Sequence, residues 1–298
     1  MSHTIFTIIV NYNAGALLRA CIESLLAAPL DIVIVVVDNA SSDESLDDLP
    51  VLPQLRIIRN PTNVGFAAAC NIGVAKSSGS HLFFLNPDCV LRPDSVTRLL
   101  QALEEHPDAG MAGGLLVDPD GTEQGGGRRA IPTPWRSFVR AFGLQRLSGR
   151  WPRLFFDFHL HKQPLPNRAV EVEAISGACM LVRRAAMQDV GKWDEGYFLH
   201  CEDLDFCMTM RAKGWKILFV PEVRIVHDKG GCSRSRPIFV EWHKHRGMMR
   251  FYRKFFGEEY SAGLMWLVML GVWLRFCLVA SYYAARNVLH RLGFGHAD

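Results

Sequence analysis

The chain has no Cys-x-x-Cys pair and no paired zinc spacing, although it carries eight cysteines. They are scattered at positions 21, 70, 89, 179, 201, 207, 232 and 277, mostly among apolar neighbours. That is the pattern of buried free thiols in a reducing compartment. No Gly-x-Gly-x-x-Gly follows the first strand-like run, and no Gly-x4-Gly-Lys-Ser/Thr occurs. Neither a nicotinamide site nor a P-loop is therefore supported. Repeats and low-complexity segments are also missing. The opening MSHTIFTIIV is too short for a signal peptide and lacks its layout, so an active domain in the cytosol is expected. Net charge is scarce too, at +3 over 298 residues. Its spread is uneven, however. Residues 128–168 hold nine Lys/Arg against the single acid Asp157, and residues 210–256 hold twelve against three. Two basic stretches in a nearly neutral chain imply either a solvated basic face or an anionic partner such as phosphates, an anionic membrane or nucleic acid.

What is present is apolar patterning. Hydrophobic residues make up 49% of the chain, enough for a packed core. The runs 5–10, 32–38, 55–60 and 81–88 read as strands; 32–38, IVIVVVD, is β-branched and almost continuously apolar, as in a parallel strand covered on both faces. Helical spacing fills 14–27, 65–79 and 93–107, and SSDESLDDL at 41–49 reads as a capped helix start. This alternation predicts an α/β protein with a doubly wound, mostly parallel sheet. Residues 113–121 read as strand and turn, and 122–170 as a long loop rich in Arg, Pro, Gly and aromatics. Beyond it, 170–184 reads as a strand, 202–213 as a helix, 215–220 and 223–227 as two strands, and 237–290 as a helical tail.

Polar residues gather where the strands end. The first ends in Asn11-Tyr12-Asn13 and the second in Asp38-Asn39. The third ends in Asn60, with Asn63 and Gly65 beyond, and the fourth in Asn86-Pro87-Asp88. Ligands of open parallel sheets bind at the carboxyl ends of strands. Asp38 suits a base N–H or a ribose hydroxyl, and Asp88 suits a divalent cation. Downstream, His227 follows an apolar run, ahead of Gly230-Gly231 and Arg234, a set able to hold a pyrophosphate. If His227 lies near Asp88, imidazole and carboxylate together suit Mn²⁺ or Mg²⁺. The stretch HCEDLDF crowds Glu202, Asp203 and Asp205 among apolar residues; buried charge is costly without a partner, so these acids either face water or have a task.

The ordered set VNYN (10–13), DNASSD (38–43), NPTNVGFAAACNIG (60–73), LNPD (85–88), SGACMLVRR (176–184), WDEGYF (193–198), EDLDFCMTMRAKGW (202–215) and VHDKGGCS (226–233) resembles a family 2 glycosyltransferase of GT-A fold. Its order and spacing resemble the bacterial rhamnosyltransferase-like branch. The resemblance implies sugar transfer from a nucleoside diphosphate donor, with inversion. Asn11, Tyr12, Asn13, Asp38, Asn63, Gly65, Asn71, Asn86 and Arg234 would then face the donor. Asp88 would stand at the metal-binding acid of the DXD position, whose first carboxylate is here Asn86, with His227 as second ligand to Mn²⁺ or Mg²⁺. Asp203 would be the general base. Glu202 would orient the acceptor or hold Asp203, and Asp205 would pair with Arg211 or cap the helix. The apolar flanks would raise the base's pKa by desolvation.

Residues 262–285 are long and apolar enough to span a bilayer, but Arg275 sits near their centre. Residues 243–256 are basic and aromatic-rich, like an interfacial helix. A helix lying in the inner leaflet, a true span and a helix packed on the domain or on a second subunit all stay open. The expected division is a catalytic domain over 1–236 and a membrane-associating helical segment over 237–298. The expected partners are dTDP-rhamnose, a lipid-linked or glycan acceptor and the cytoplasmic face of the membrane. Nucleic acid is not expected, and a homodimer is compatible. Other donors, UDP-galactofuranose, UDP-glucose or a UDP-N-acetylhexosamine, remain alternatives, as does a silent nucleotide-sugar-binding scaffold.

Overall fold

The computed structural model describes residues 4–141, 143–155, 158, 160–228 and 236–291. The first half alternates as the sequence pattern requires: β1 (Ile5–Asn11), α1 (Ala16–Leu26), β2 (Ile32–Asp38), β3 (Leu55–Arg59), α2 (Phe66–Ala75), β4 (His81–Leu85), β5 (Cys89–Val90), α3 (Ser95–Glu105) and β6 (Ala109–Val117). The second half is less regular: β7 (Arg128–Arg129), α4 (Pro134–Ala141), β8 (Val170–Glu171), β9 (Ala174–Ile175), β10 (Cys179–Arg183), α5 (Arg184–Val190), α6 (Glu202–Ala212), β11 (Lys216–His227), α7 (Pro237–Phe256) and α8 (Ala262–Arg291).

The main sheet runs β3-β2-β1-β4-β10-β6-β11-β5, with β8 also on β11, while β7 and β9 pair apart from it. Pairing is parallel from β3 to β4 and again between β6 and β11. Between them β10 runs antiparallel to both β4 and β6, so the sheet is mixed. Side chains alternate across it with period two. Phe6, Ile8, Val10, Val35 and Val37 face a core closed by α2, α6 and α7. Ile5, Ile9, Ile34 and Val36 face the opposite layer of α1 and α3. The segment after residue 236 contributes to the first core through Phe251, Tyr252 and Phe256 of α7 and Met265 and Val272 of α8.

Three local expectations need correction. Residues 41–49 do not form a helix. The Oγ atoms of Ser41 and Ser45 accept from the Asn11 amide at 3.0 and 2.8 Å, and Ser45 Oγ donates to Asp43. Such side-chain bonds compete with helix formation. Residues 170–184 are three short strands, not one. The run over 215–227 is one strand, with an irregularity between Val220 and Arg224 where Pro221 removes a donor.

Candidate functional site

The fourth strand ends at Leu85, and the turn Asn86-Pro87-Asp88 delivers the chain into β5, which pairs antiparallel with the end of β11. That pairing sets Asp88 Oδ1 3.2 Å from His227 Nε2, both side chains being buried. Asn86 Nδ2 stands 3.5 Å from the same nitrogen. The other ring nitrogen, Nδ1, is 2.8 Å from Gln124 Oε1. Gln124's own amide donates to the His227 carbonyl and to Asp118 Oδ1, at 2.6 and 2.7 Å. The amide orientation is thereby set and Nδ1 is the donor, so a neutral ring turns its Nε2 lone pair toward Asp88. Asp88 Oδ1 is buried without a hydrogen-bond partner. An imidazole nitrogen and a carboxylate oxygen facing each other out of water form a donor set that fits a hard or borderline divalent cation. Cys89 lies within the same group, but burial pushes its thiol pKa well up and Sγ is 3.5 Å from the Ala178 carbonyl. A soft thiol is also a poor match for a hard cation held by carboxylate oxygen. Arg234, Gly230 and Gly231 lie outside the described residues.

At the ends of β1 and β2, Asn11 donates to Asp38 Oδ1 at 2.9 Å, and the Ser41 N–H reaches Oδ2 at 3.3 Å. Asn13, with φ 53°, accepts from the Ser42 N–H at 2.8 Å, and Tyr12 is half-buried between the two asparagines. Asn11, Tyr12, Asn13 and Asp38 thus come together. Asn63 and Gly65 serve a neighbouring turn: Asn63 Oδ1 accepts the Gly65 N–H at 3.0 Å. Gly65 has φ 86°, and a Cβ there would lie 2.7 Å from the Phe198 carbonyl oxygen, so this site needs glycine both for conformation and for approach. Asn71 is a correction. Its amide donates to the Trp193 carbonyl and Glu195 and accepts from the Trp193 N–H, so it holds the loop 193–201 and is not offered to a ligand.

That loop, anchored by Trp193 stacked on Phe206 at 4.4 Å, delivers the acids. His200 and Cys201 take positive φ, 67° and 70°, and α6 begins at Glu202. Asp203 in the first turn is ion-paired with Arg129 of β7 and accepts the Gly177 N–H at 3.3 Å. Helix N-termini favour such a charge. Glu202 is buried with Oε2 unpartnered; burial, then the charge of Asp203, pushes its carboxyl up to about 8. Desolvation in this acidic turn thus acts on Glu202, the neighbour of the expected base. Asp205 does not pair with Arg211: it is held by Lys254 of α7 at 2.8 Å, and Lys254 also reaches Asp194 at 3.0 Å.

Two segments join the acid cluster to the Asp88–His227 cluster. In the turn between β9 and β10, the Gly177 N–H bonds Asp203 while the next residue's carbonyl accepts from Asn86 N at 3.0 Å. In the loop before α4, Gln124 holds His227 and Arg129 holds Asp203. Gln124 and Arg129 were missed by sequence reading. Arg129 was one of nine cations in a basic stretch, and Gln124 carried no signal. The Gly177–Ala178 turn thus links an Arg-paired carboxylate to a pair able to hold a cation, which suits deprotonation of a hydroxyl opposite a departing phosphate.

Residues 7–191 match the sequence family described as "Glycosyl transferase family 2". A curated relative, "N-acetylglucosaminyl-diphospho-decaprenol L-rhamnosyltransferase" of Mycobacterium tuberculosis, is 27% identical, covering 98% of this chain and 96% of its own. The "dTDP-rhamnosyl transferase RfbF" of Shigella flexneri is 24% identical over 85% of this chain and 78% of its own. Among solved structures, the mannosyltransferase PcManGT from Pyrobaculum calidifontis, in complex with GDP-Man and Mn²⁺, superposes with TM-score 0.56 at 13% identity, covering 100% of this chain and 77% of that one. The fold is GT-A.

Proposed function

The chain belongs to glycosyl transferase family 2, and from that membership and the two joined clusters we propose that it transfers L-rhamnose from dTDP-rhamnose, with inversion, to a hydroxyl of a lipid-linked sugar. The single observation that carries the chemistry is the Gly177–Ala178 turn, which contacts Asp203 on one side and the Asn86-Pro87-Asp88 turn on the other. Asp203 takes the proton of the acceptor hydroxyl as its oxygen bonds the anomeric carbon. The bond from that carbon to the diphosphate oxygen breaks, and its electron pair leaves with the nucleotide. Asp88 and His227 would hold a divalent cation, Mn²⁺ or Mg²⁺, which when bound supplies positive charge to the departing diphosphate. Gln124 keeps the ligating face of His227 turned inward. Asn11, Tyr12, Asn13 and Asp38 line the nucleoside end. Glu202, with its pKa near 8, carries its proton at pH 7 and leaves a single charge at the base. The name of the mycobacterial relative supports an N-acetylglucosaminyl-diphospho-polyprenol acceptor. Such an acceptor sits in a membrane, and the apolar α8 supports a peripheral position on its cytoplasmic face.

The test is donor binding and transfer by the purified protein across dTDP-, UDP- and GDP-sugars, with Mn²⁺, Mg²⁺ or EDTA. Metal-dependent use of dTDP-rhamnose above the others is expected. Preference for another sugar nucleotide would keep the mechanism and change the donor, and absence of binding to all of them would overturn the proposal. Asp203→Asn should lower the transfer rate by roughly 10²–10⁴-fold while leaving the donor Kd within twofold.

A further inference from the structure

The helix α4 carries Trp135 and Phe138 stacked at 5.5 Å and 44% exposed each, although its other face is buried at Pro134 and Val139. Nearby, Trp151 is 46% and Leu154 is 55% exposed. The Trp135 indole donates to the Leu154 carbonyl at 2.7 Å, so the two exposed pieces are one patch. A cluster of exposed aromatic and aliphatic side chains rimmed by polar residues marks an interaction site.

Charge identifies the partner. Between Glu123 and Asp157 the sequence has no acid, and Arg146, Arg150 and Arg153 are exposed around the patch. Arg150 lies over the Trp151 ring at 5.3 Å, and Arg140 over Phe158 at 5.6 Å. Indole and guanidinium side by side is the composition of a surface seated at the headgroup level of an anionic bilayer, aromatic rings at the boundary and cations against phosphates.

Position supports the same occupant. An open groove of ≈ 780 Å³ is lined by Trp135, Arg153, Leu154 and Tyr260. Tyr260 immediately precedes Ser261, whose carbonyl accepts from Met265 of α8. The patch therefore runs on to α8, whose outer face shows Trp266, Leu267, Leu274 and Leu278 to solvent. Ser137 Oγ, 2.7 Å from Tyr252 OH, fastens α4 to α7, which packs on α8. Arg129, the cation on Asp203, lies six residues before Trp135. Two contacts with one bilayer would fix the orientation of the cleft, which a single helix lying in the interface does not.

We propose that the α4 patch, Trp135, Phe138, Trp151 and Leu154 with Arg146, Arg150 and Arg153, is a second membrane-docking surface that binds anionic lipid headgroups together with α8. The proposal rests on the peripheral membrane reading but not on donor or acceptor identity.

The test is cosedimentation of the full chain with phosphatidylcholine vesicles, with and without phosphatidylglycerol, for wild type, Trp135→Ser/Phe138→Ser and Arg146→Gln/Arg150→Gln/Arg153→Gln. Thermal unfolding and size exclusion check that each variant is folded. The arginine variant should bind phosphatidylglycerol vesicles at least about 10-fold more weakly, with little change on pure phosphatidylcholine. The aromatic variant should weaken binding to both. If both variants bind like wild type, α8 acts alone and the α4 proposal is overturned while membrane association stands. If wild type itself does not bind, both are overturned. A change from dimer to monomer with unaltered vesicle binding would assign the patch to a second copy and overturn the proposal as well. The Arg variant, which removes no buried group, keeps the test decisive if the aromatic variant fails to fold.

Discussion

Adjacent carboxyls in α6 meet opposite surroundings. Asp203 is met by Arg129 and a backbone N–H, whereas Glu202 is buried with one oxygen unpartnered. A carboxyl whose pKa is raised on folding binds a proton that the unfolded chain has released. Its contribution therefore falls as pH rises from the ordinary glutamate value, about 4.3, to the folded value of about 8, and is constant above that. Glu202→Gln should accordingly gain Tm over wild type, with a difference that grows between those limits and levels off beyond them. A pH-independent Tm difference would count against a buried, protonated Glu202. At the proposed metal site, Gln124 fixes Nδ1 of His227 as the donor. Gln124→Leu should weaken Mn²⁺ dependence by roughly 10–100-fold, read as the half-saturating Mn²⁺ concentration for donor binding. Neither Gln124 nor Arg129 was legible beforehand. Their partners are 103 and 74 residues away, and a single charge or amide in a loop says nothing about what folds onto it.

At the scale of elements, the strands were legible because parallel strands covered on both faces are short, almost continuously apolar runs, and each run ended abruptly in polar side chains. The 41–49 segment was misread because Ser, Asp and Asn cap helices and form competing turns with the same chemistry; Asn11, supplied by another strand, decided between them. The loop 193–201 shows how elements deliver the acids. Gly65 lets the Phe198 backbone approach, and a side chain there meets both positive φ and a carbonyl oxygen. Gly65→Ala should cost at least about 1 kcal/mol in stability, measured by denaturant unfolding, and should lower activity more than distant surface substitutions. Lys254 of α7 bridges Asp205 and Asp194. Lys254→Met leaves the buried Asp205 without its cation and should destabilise the fold by about 1–3 kcal/mol, in the range for a buried polar group that loses one partner, since Lys254 itself is partly exposed.

On the scale of the whole molecule, α7 is part of the core rather than an appendage, since Phe251, Tyr252 and Phe256 are buried with strand residues from the other end of the chain. The outer face of α8 is different: Ala262–Val288 is long and apolar enough to cross a membrane, yet little of it is buried against the domain. A chain ending at residue 258 should keep metal-dependent donor binding, lose most vesicle binding and unfold at a lower temperature, because Met265 and Val272 no longer cover α7. Loss of donor binding on this truncation would show that α8 supports the cleft itself. The sequence alone determined the strand–helix alternation, the polar ends of β1, β2 and β4 and the acidic start of α6, because these follow from periodicities and turn chemistry acting over a few residues. Only the tertiary structure decided that β10 inserts antiparallel between two parallel blocks, that Asn71 holds a loop, and that Gln124 and Arg129 serve His227 and Asp203. Those outcomes depend on which distant segments share one side of the sheet, and local residue patterns carry no record of strand direction or long-range neighbours.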